Sequence, residues 1–124
     1  MPSRSYRLVH PRSGRVLAER VRLPRTFVGR SLGLMFRRSL GGGEGLWLRP
    51  CNGIHMFFVR FPIDAVFLDR SERVVRAYPG LKPWRVVPFV RRAHSVVEVP
   101  AGTIAGLDLE PGEPLEVTCT ARPA

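Results

Sequence analysis

Ionisable side chains interrupt an otherwise apolar stretch of the chain between Cys51 and Asp64. Cys51 and His55 lie on either side of Asn52-Gly53, a dipeptide typical of tight hairpin turns. A thiol beside an imidazole could form a cysteine nucleophile with its base, or two ligands of a zinc site. Structural zinc usually takes four ligands, so we expect no metal and no cofactor here. A buried thiol beside a hydrogen-bonded histidine remains the simplest interpretation.

Three further charged residues extend this candidate site. Arg60 and Asp64 could pair only if Pro62 breaks the strand, since four residues of extended chain span about 13 Å. Glu98 follows Val97 in an apolar strand and needs either solvent or a partner such as Arg60 or His55. If these groups converge, they form a pocket able to hold a small polar or anionic ligand. The candidate pocket therefore contains Cys51, His55, Arg60, Asp64 and Glu98.

The elements that position these residues are mostly short strands. Ser5–His10 and Arg15–Leu23 predict an antiparallel hairpin around the turn at 11–14. Pro24 opens a helical pattern that continues to Met35. Asn52-Gly53 predicts a type I′ hairpin turn, and the apolar run 54–61 predicts a central strand covered on both faces.

The second half of the chain continues in the same manner. Predicted strands cover 65–69, 74–78, 85–90, 95–99 and 115–120, with a short helical turn within 99–107 and a type II turn at 110–113. The fold class is therefore α+β and mainly β: a strongly bent antiparallel or mixed sheet, or a barrel, with one or two short helices. Residues 1–124 are expected to form a single domain, with residues 5–23 as an N-terminal hairpin.

The net charge of +10 is concentrated in the first third of the chain. Residues 1–40 hold ten arginines and one acid, whereas residues 41–124 are nearly neutral. Such an end suggests phosphate-bearing partners, either nucleic acid or an anionic membrane surface, with Arg30, Arg37 and Arg38 as a candidate anion-binding surface. A solvated arginine-rich face explains the same composition, and we favour that interpretation over nucleic-acid binding.

Two cysteines are too few for a disulfide scaffold, and no apolar run is long enough to span a membrane. The N-terminus lacks the apolar segment of a signal peptide, so we expect a soluble, cytoplasmic protein with reduced thiols.

Six aromatic residues lie among several arginines: Phe57, Phe58, Phe61, Phe67, Trp84 and Phe89. Aromatic residues at strand spacing usually belong to the core, although a stacking platform for single-stranded nucleic acid is the alternative.

An ordered set of segments resembles domain-of-unknown-function family 192. The set comprises Gly33-Leu34-Met35, Glu44–Leu48, Ile54-His55-Met56, Phe61–Asp69 and Val97–Gly102, within residues 23–118. The resemblance implies a small β-rich domain without an established activity, cofactor or partner. The family's recurring polar positions match Arg60, Asp64 and Glu98, whereas Cys51 and His55 belong to one branch. The closing pattern around Leu107 and Leu115 is also similar to the final strand of cradle-loop barrels.

Three classes of function remain open from the sequence. The first is a binding or accessory domain with a polar pocket, in which Arg60 meets an anionic group. The second is a hydrolase that uses Cys51 with His55, or a carboxylate with His55. The third is a nucleic-acid binder that uses the N-terminal arginines. The ligand, the reaction and the oligomeric state are not specified.

Overall fold

The structure contains nine β-strands in the residues that it describes. The computed structural model describes residues 5–24, 26 and 33–121. Its strands are β1 (Ser5–His10), β2 (Arg15–Arg22), β3 (Glu44–Leu48), β4 (Ile54–His55), β5 (Ile63–Leu68), β6 (Val74–Leu81), β7 (Val86–Val87), β8 (Ser95–Pro100) and β9 (Glu116–Ala121).

Seven of these strands form one sheet in the order β6-β5-β8-β3-β2-β1-β9. All neighbours are antiparallel except β2 and β3, which are parallel. The two-residue strands β4 and β7 pair separately. The long connections between β3 and β5 and between β6 and β8 therefore lie over one face of the large sheet.

Apolar residues cover both faces of the central strands, which is why β5 and β8 show little polar alternation. On β5, Ile63, Ala65 and Phe67 pack with the connections that contain β4 and β7. Val66 and Leu68 point to the other face and pack with residues of β1 and β2. The sheet thus divides the core into two layers, and strand parity decides to which layer each polar side chain belongs.

The predicted α+β class is wrong, because the structure is all-β over its described residues. Most of the helix predicted from Pro24 to Met35 lies outside them, and its described end, 33–36, is a turn. Phe36 has a φ of 65°, which a right-handed helix cannot contain. The segment 101–106 is likewise a series of turns rather than a helix.

The predicted barrel is also not closed. An isolated bridge joins Arg73 to Pro114, and Val74 N donates to Glu113 O at 2.7 Å. These bonds bring the start of β6 near the chain that leads into β9, but no continuous ladder joins the two edge strands. The sheet remains open.

The hairpin predicted at Asn52-Gly53 does not form. Neither residue has the positive φ that a type I′ turn requires, and β4 pairs with β7 instead. Gly53 is needed for a different reason, because a Cβ there would lie 2.4 Å from the Pro88 carbonyl oxygen. The central strand predicted over 54–61 shrinks to Ile54–His55.

Several local predictions are confirmed. The β1–β2 hairpin, the β5–β6 pair and the turn at 110–113 all form, the last with Gly112 at a φ of 89°. Phe67 is core as predicted, whereas Phe57, Phe58, Trp84 and Phe89 are exposed, so the core prediction is wrong for those four. Over the described ranges, no helix is long and apolar enough to cross a membrane.

Candidate functional site

Glu98 lies in the middle of the sheet. It is on β8 between Leu46 of β3 and Ala65 of β5, so its backbone is paired on both sides. Its side chain has the parity of Val96 and therefore faces the layer covered by the connections that contain β4 and β7. A carboxyl group is thus placed in an apolar layer, with only 4% of the residue exposed.

A cavity of about 290 Å³ opens above this carboxyl. Its walls are mainly apolar, and the described residues contribute the polar side chains of Cys51, His55 and Glu98. The lining comprises Gly33, Leu34, Met35, Leu48, Cys51, Gly53, Ile54, His55, Val59 and Glu98. Small-molecule sites commonly combine such apolar walls with a few polar groups.

Burial determines the acidity of Glu98. Desolvation disfavours its charged form and raises the pKa of Glu98 to about 7. Desolvation is the sole cause of this shift, and no hydrogen bond or ion pair joins the side chain to the described residues. Near neutral pH the group therefore exists both as a carboxylic acid, which donates and accepts, and as a carboxylate, which only accepts.

Cys51 and His55 line the same cavity, and each makes hydrogen bonds with backbone groups. The Cys51 thiol donates to Gly53 O at 3.0 Å, and Cys51 N donates to His94 O at 2.8 Å. His55 Nδ1 accepts from Phe57 N at 3.2 Å, and its ring stacks on that of Phe57.

The other two predicted pocket residues lie elsewhere. Arg60 is exposed and lines a neighbouring groove of about 310 Å³ with Phe36, Phe58 and Trp84. Asp64 is buried on the opposite face of the sheet, where it accepts from Gly80 N at 2.8 Å and Ile104 N at 3.0 Å. Arg60 and Asp64 do not form the expected ion pair in the described structure. The Asp64 carboxylate instead holds the backbone at Gly80 and Ile104.

The candidate anion-binding arginines are only partly described. Arg30 lies outside the described residues. Arg37 is half-buried and Arg38 is exposed, both just after the turn that lines the cavity. Among the described residues, no group of three or more His, Cys, Asp or Glu side chains converges as a metal site would require.

Sequence reasoning missed a second polar cluster, around His10. The ring of His10 contacts Glu113 through Nε2, and its Nδ1 lies 2.6 Å from Ser13 Oγ. Arg12 donates to Glu113 at 2.7 Å, and this contact, with smaller contributions from the Glu110 backbone and His10, lowers the pKa of Glu113 to about 2. A serine, a histidine and a carboxylate in contact suggest a nucleophile, but His10 is only 1% exposed.

The His10 cluster therefore joins two turns, at 11–14 and 110–113, by side-chain contacts. Ser13 Oγ accepts from Arg15 N, so this hydroxyl serves the turn at 11–14. Glu113 belongs to the turn at 110–113, 103 positions away from His10. No local pattern in the sequence could have indicated this contact, because it depends on the pairing of β1 with β9.

Comparison with known proteins finds one matching family. The model of domain-of-unknown-function family 192, described as "Uncharacterized ACR", matches residues 9–117, which confirms the resemblance found in the sequence. A UPF0127 protein of Pyrococcus furiosus is 38% identical over 106 residues, covering 83% of this chain and 90% of that protein. A UPF0127 protein of Thermococcus kodakarensis is 32% identical and covers 91% and 74% of the two chains.

Two solved structures share the fold. A protein of unknown function from Novosphingobium aromaticivorans has a TM-score of 0.74 at 28% identity, covering 90% of this chain and 83% of that one. A protein from Sinorhizobium meliloti, described as a candidate transcription regulator, has a TM-score of 0.76 at 24% identity, covering 93% of each chain. The second likeness concerns the fold alone.

Proposed function

The chain belongs to domain-of-unknown-function family 192, and we propose that it is a binding domain whose pocket recognises a small polar ligand through the carboxyl group of Glu98. One observation carries this proposal: a buried carboxyl group faces a cavity and has no donor from the described residues. The carboxyl oxygens open into the cavity and can accept from a ligand there, and a hydrogen bond to a charged group contributes about 1.5–3 kcal/mol.

The polarity of the pocket favours a ligand that donates hydrogen bonds. Sequence reasoning left polar and anionic ligands open, with Arg60 as the group that meets an anion. Arg60 lines the neighbouring groove, so among the described residues Glu98 is the buried ionisable group that lines the cavity. An amine or amide with a short apolar body matches both the carboxyl group and the apolar walls formed by Leu34, Leu48 and Ile54.

A matched series of three probes tests this preference. n-Butylamine, butyramide and butyrate share one apolar body and differ in the head group. The best small ligands gain about 1.5 kcal/mol of binding free energy per non-hydrogen atom, so the dissociation constants of these probes should be micromolar or weaker. Binding is therefore followed by NMR chemical shifts at millimolar probe concentrations. We expect butylamine to bind most tightly and butyrate least, with shifts at residues of the cavity.

The variant Glu98→Gln provides the decisive comparison. Hydrogen bonds to a charged group contribute about 1.5–3 kcal/mol, so butylamine affinity should fall about 10- to 100-fold. Glu116→Gln is the matched control, since Glu116 is exposed on β9 and should leave affinity unchanged. Tightest binding by butyrate, or equal butylamine binding by both variants and the parent, would refute the proposal.

The hydrolase alternative is tested through thiol reactivity. Cys119 is exposed on β9, whereas Cys51 is half-buried with its thiol donating to Gly53 O. We expect a disulfide reagent to react more slowly with Cys51 in Cys119→Ser than with Cys119 in Cys51→Ser at pH 7. Faster reaction of Cys51 would support a nucleophile instead of a binding pocket.

A further inference from the structure

Large apolar side chains are exposed at one end of the molecule. In the part of the chain that the structure describes, the exposed large hydrophobic residues are Phe36, Phe57, Phe58, Trp84, Val86 and Phe89. All of them lie in three connections, 33–43, 49–62 and 82–94, which cover the same face of the sheet. Concentration of exposed apolar area in one region is typical of an interaction surface.

Four of these rings form one continuous surface, which we call the aromatic tip: Phe36, Phe57, Phe58 and Trp84. Ring centroids are 5.3 Å apart for Phe36 and Phe58, 5.1 Å for Phe58 and Trp84, and 5.8 Å for Phe57 and Trp84. Backbone bonds hold the loops together, since Phe36 N donates to Phe58 O and Trp84 N donates to Met56 O. The tip is therefore built from three loops fixed against each other.

The backbone at the tip adopts conformations that these residues rarely take. Phe36, Phe58 and Trp84 have φ values of 65°, 61° and 68°. Left-handed backbone is unfavourable for a non-glycine residue, and it persists where the surrounding structure fixes it. The exposed position of the rings is thus maintained at a cost in stability.

The three connections that carry the tip have charges of one sign. The connections 33–43, 49–62 and 82–94 contain eight basic residues and no acidic residue. They are Arg37, Arg38, Arg49, Arg60, Lys82, Arg85, Arg91 and Arg92. Arg49 lies 3.9 Å from Glu72, and Arg92 lines a pocket with Asp69, so these two are away from the rings. Arg60 lines the groove of Phe36, Phe58 and Trp84, and four more basic residues lie within two positions of a tip ring in the sequence: Arg37, Arg38, Lys82 and Arg85.

From this combination we propose that the aromatic tip inserts into the headgroup layer of an anionic lipid bilayer. Phenylalanine and tryptophan rings are favoured at that depth, and basic residues around them bind lipid phosphates and carboxylates. Charge complementarity decides against a second copy of the chain, since two basic tips would repel each other.

The arrangement of the rings decides against single-stranded nucleic acid. A stacking platform offers a free ring face for each base. Here neighbouring rings contact each other, with centroids 5.1–5.8 Å apart, and together form a continuous apolar surface. Such a surface suits insertion into an interface better than separate stacking of bases.

Vesicle binding tests the proposal. The probes are vesicles of phosphatidylcholine alone and of phosphatidylcholine with 30% phosphatidylserine, followed by co-sedimentation and by tryptophan emission in 0.15 M salt. Trp47 is buried and Trp84 is exposed, so a blue shift on binding reports Trp84. We expect a blue shift and at least tenfold tighter binding to the vesicles that contain phosphatidylserine.

Two pairs of substitutions separate the apolar and the charged contributions. Phe58→Ala with Trp84→Ala should weaken binding at least tenfold, with folding checked by thermal unfolding. Each basic residue near an anionic surface contributes about fivefold, so Arg60→Gln with Arg85→Gln should weaken binding about 25-fold. The matched control is Arg15→Gln with Arg22→Gln on β2, which removes the same charge outside the three connections and should change binding by less than threefold; Arg15 donates to Ala105 O, in the segment 101–106.

Several outcomes would overturn the proposal. They are equal binding to both kinds of vesicle, equal loss for the β2 control and the tip variant, and no binding to either vesicle. Tighter binding to an oligothymidylate, with quenching of Trp84, would assign the surface to nucleic acid. Concentration-dependent dimerisation that Trp84→Ala abolishes would assign it to a second copy.

Discussion

Replacing Glu98 with glutamine should stabilise the fold increasingly as the pH rises from about 4.5 to 7. Burial raises the pKa of Glu98 from 4.5 to about 7 in the folded protein. Between these values the unfolded chain releases a proton that the folded protein keeps, so the stability of the parent protein falls with increasing pH. Glutamine has the same shape without this ionisation, so the variant lacks that loss.

The shift of the pKa determines the magnitude. One pKa unit corresponds to about 1.4 kcal/mol, so a shift from 4.5 to about 7 is worth about 3 kcal/mol. Below pH 4.5 the group is protonated in both states, and above pH 7 it is ionised in both, so the difference between variant and parent is constant outside this window. Small domains have only 5–15 kcal/mol of total stability, so the effect is large.

Urea unfolding at pH 4, 5, 6, 7 and 8 measures this difference, with fluorescence of the buried Trp47 as the signal. The unfolding free energy of Glu98→Gln minus that of the parent should increase by about 3 kcal/mol between pH 4 and pH 8. Glu116→Gln should show no such trend, because Glu116 is exposed. A difference that stays constant across the range would mean that Glu98 is not desolvated, and the reasoning would fail.

Three other substitutions test three separate parts of the structure: the loop at Gly53, the His10 cluster and the aromatic tip. Gly53→Ala should destabilise the fold by about 1–3 kcal/mol in thermal unfolding, because its Cβ would collide with the backbone of Pro88, and an unchanged midpoint would contradict this close approach. Arg12 lowers the pKa of Glu113, so the Glu113 carboxylate stabilises the parent above pH 4.5, and this stability is lost as the pH falls towards 2. Glu113→Gln should lack this contribution, and parallel acid-unfolding curves for variant and parent would contradict a stabilising His10 cluster. Trp84→Gly should be more stable than Trp84→Ala by about 1 kcal/mol, the reverse of the usual order, because of the positive φ at this position.

Local signals predicted much of the sheet. The turn at 11–14 fixed the β1–β2 hairpin, and the apolar runs at 65–69 and 95–99 correspond to β5 and β8. The hairpin turn predicted at Asn52-Gly53 was wrong, because the sequence does not distinguish a glycine in a hairpin turn from one that lets the backbone approach Pro88 closely. The helix was overpredicted because apolar spacing alone does not reveal left-handed backbone such as that at Phe36.

The candidate site was harder to predict, because strand parity divides it. Cys51, His55 and Glu98 line one cavity, whereas Asp64 faces the opposite layer of the core. A strand buried on both faces shows no polar alternation, so nothing in the residues 63–68 indicated where Asp64 points. Arg60 could not be placed either, since its loop leaves the sheet after His55.

The most direct test of the proposed pocket is the titration of Glu98 itself. The parent protein, labelled with ¹³C at glutamate carboxyl carbons, is titrated with and without saturating n-butylamine, and Glu98→Gln identifies the signal. The free protein should show a pKa of about 7 for Glu98, and bound butylammonium should lower that pKa, whereas butyrate should not. An identical titration of Glu98 with and without butylamine would contradict a pocket that binds its ligand through this carboxyl group.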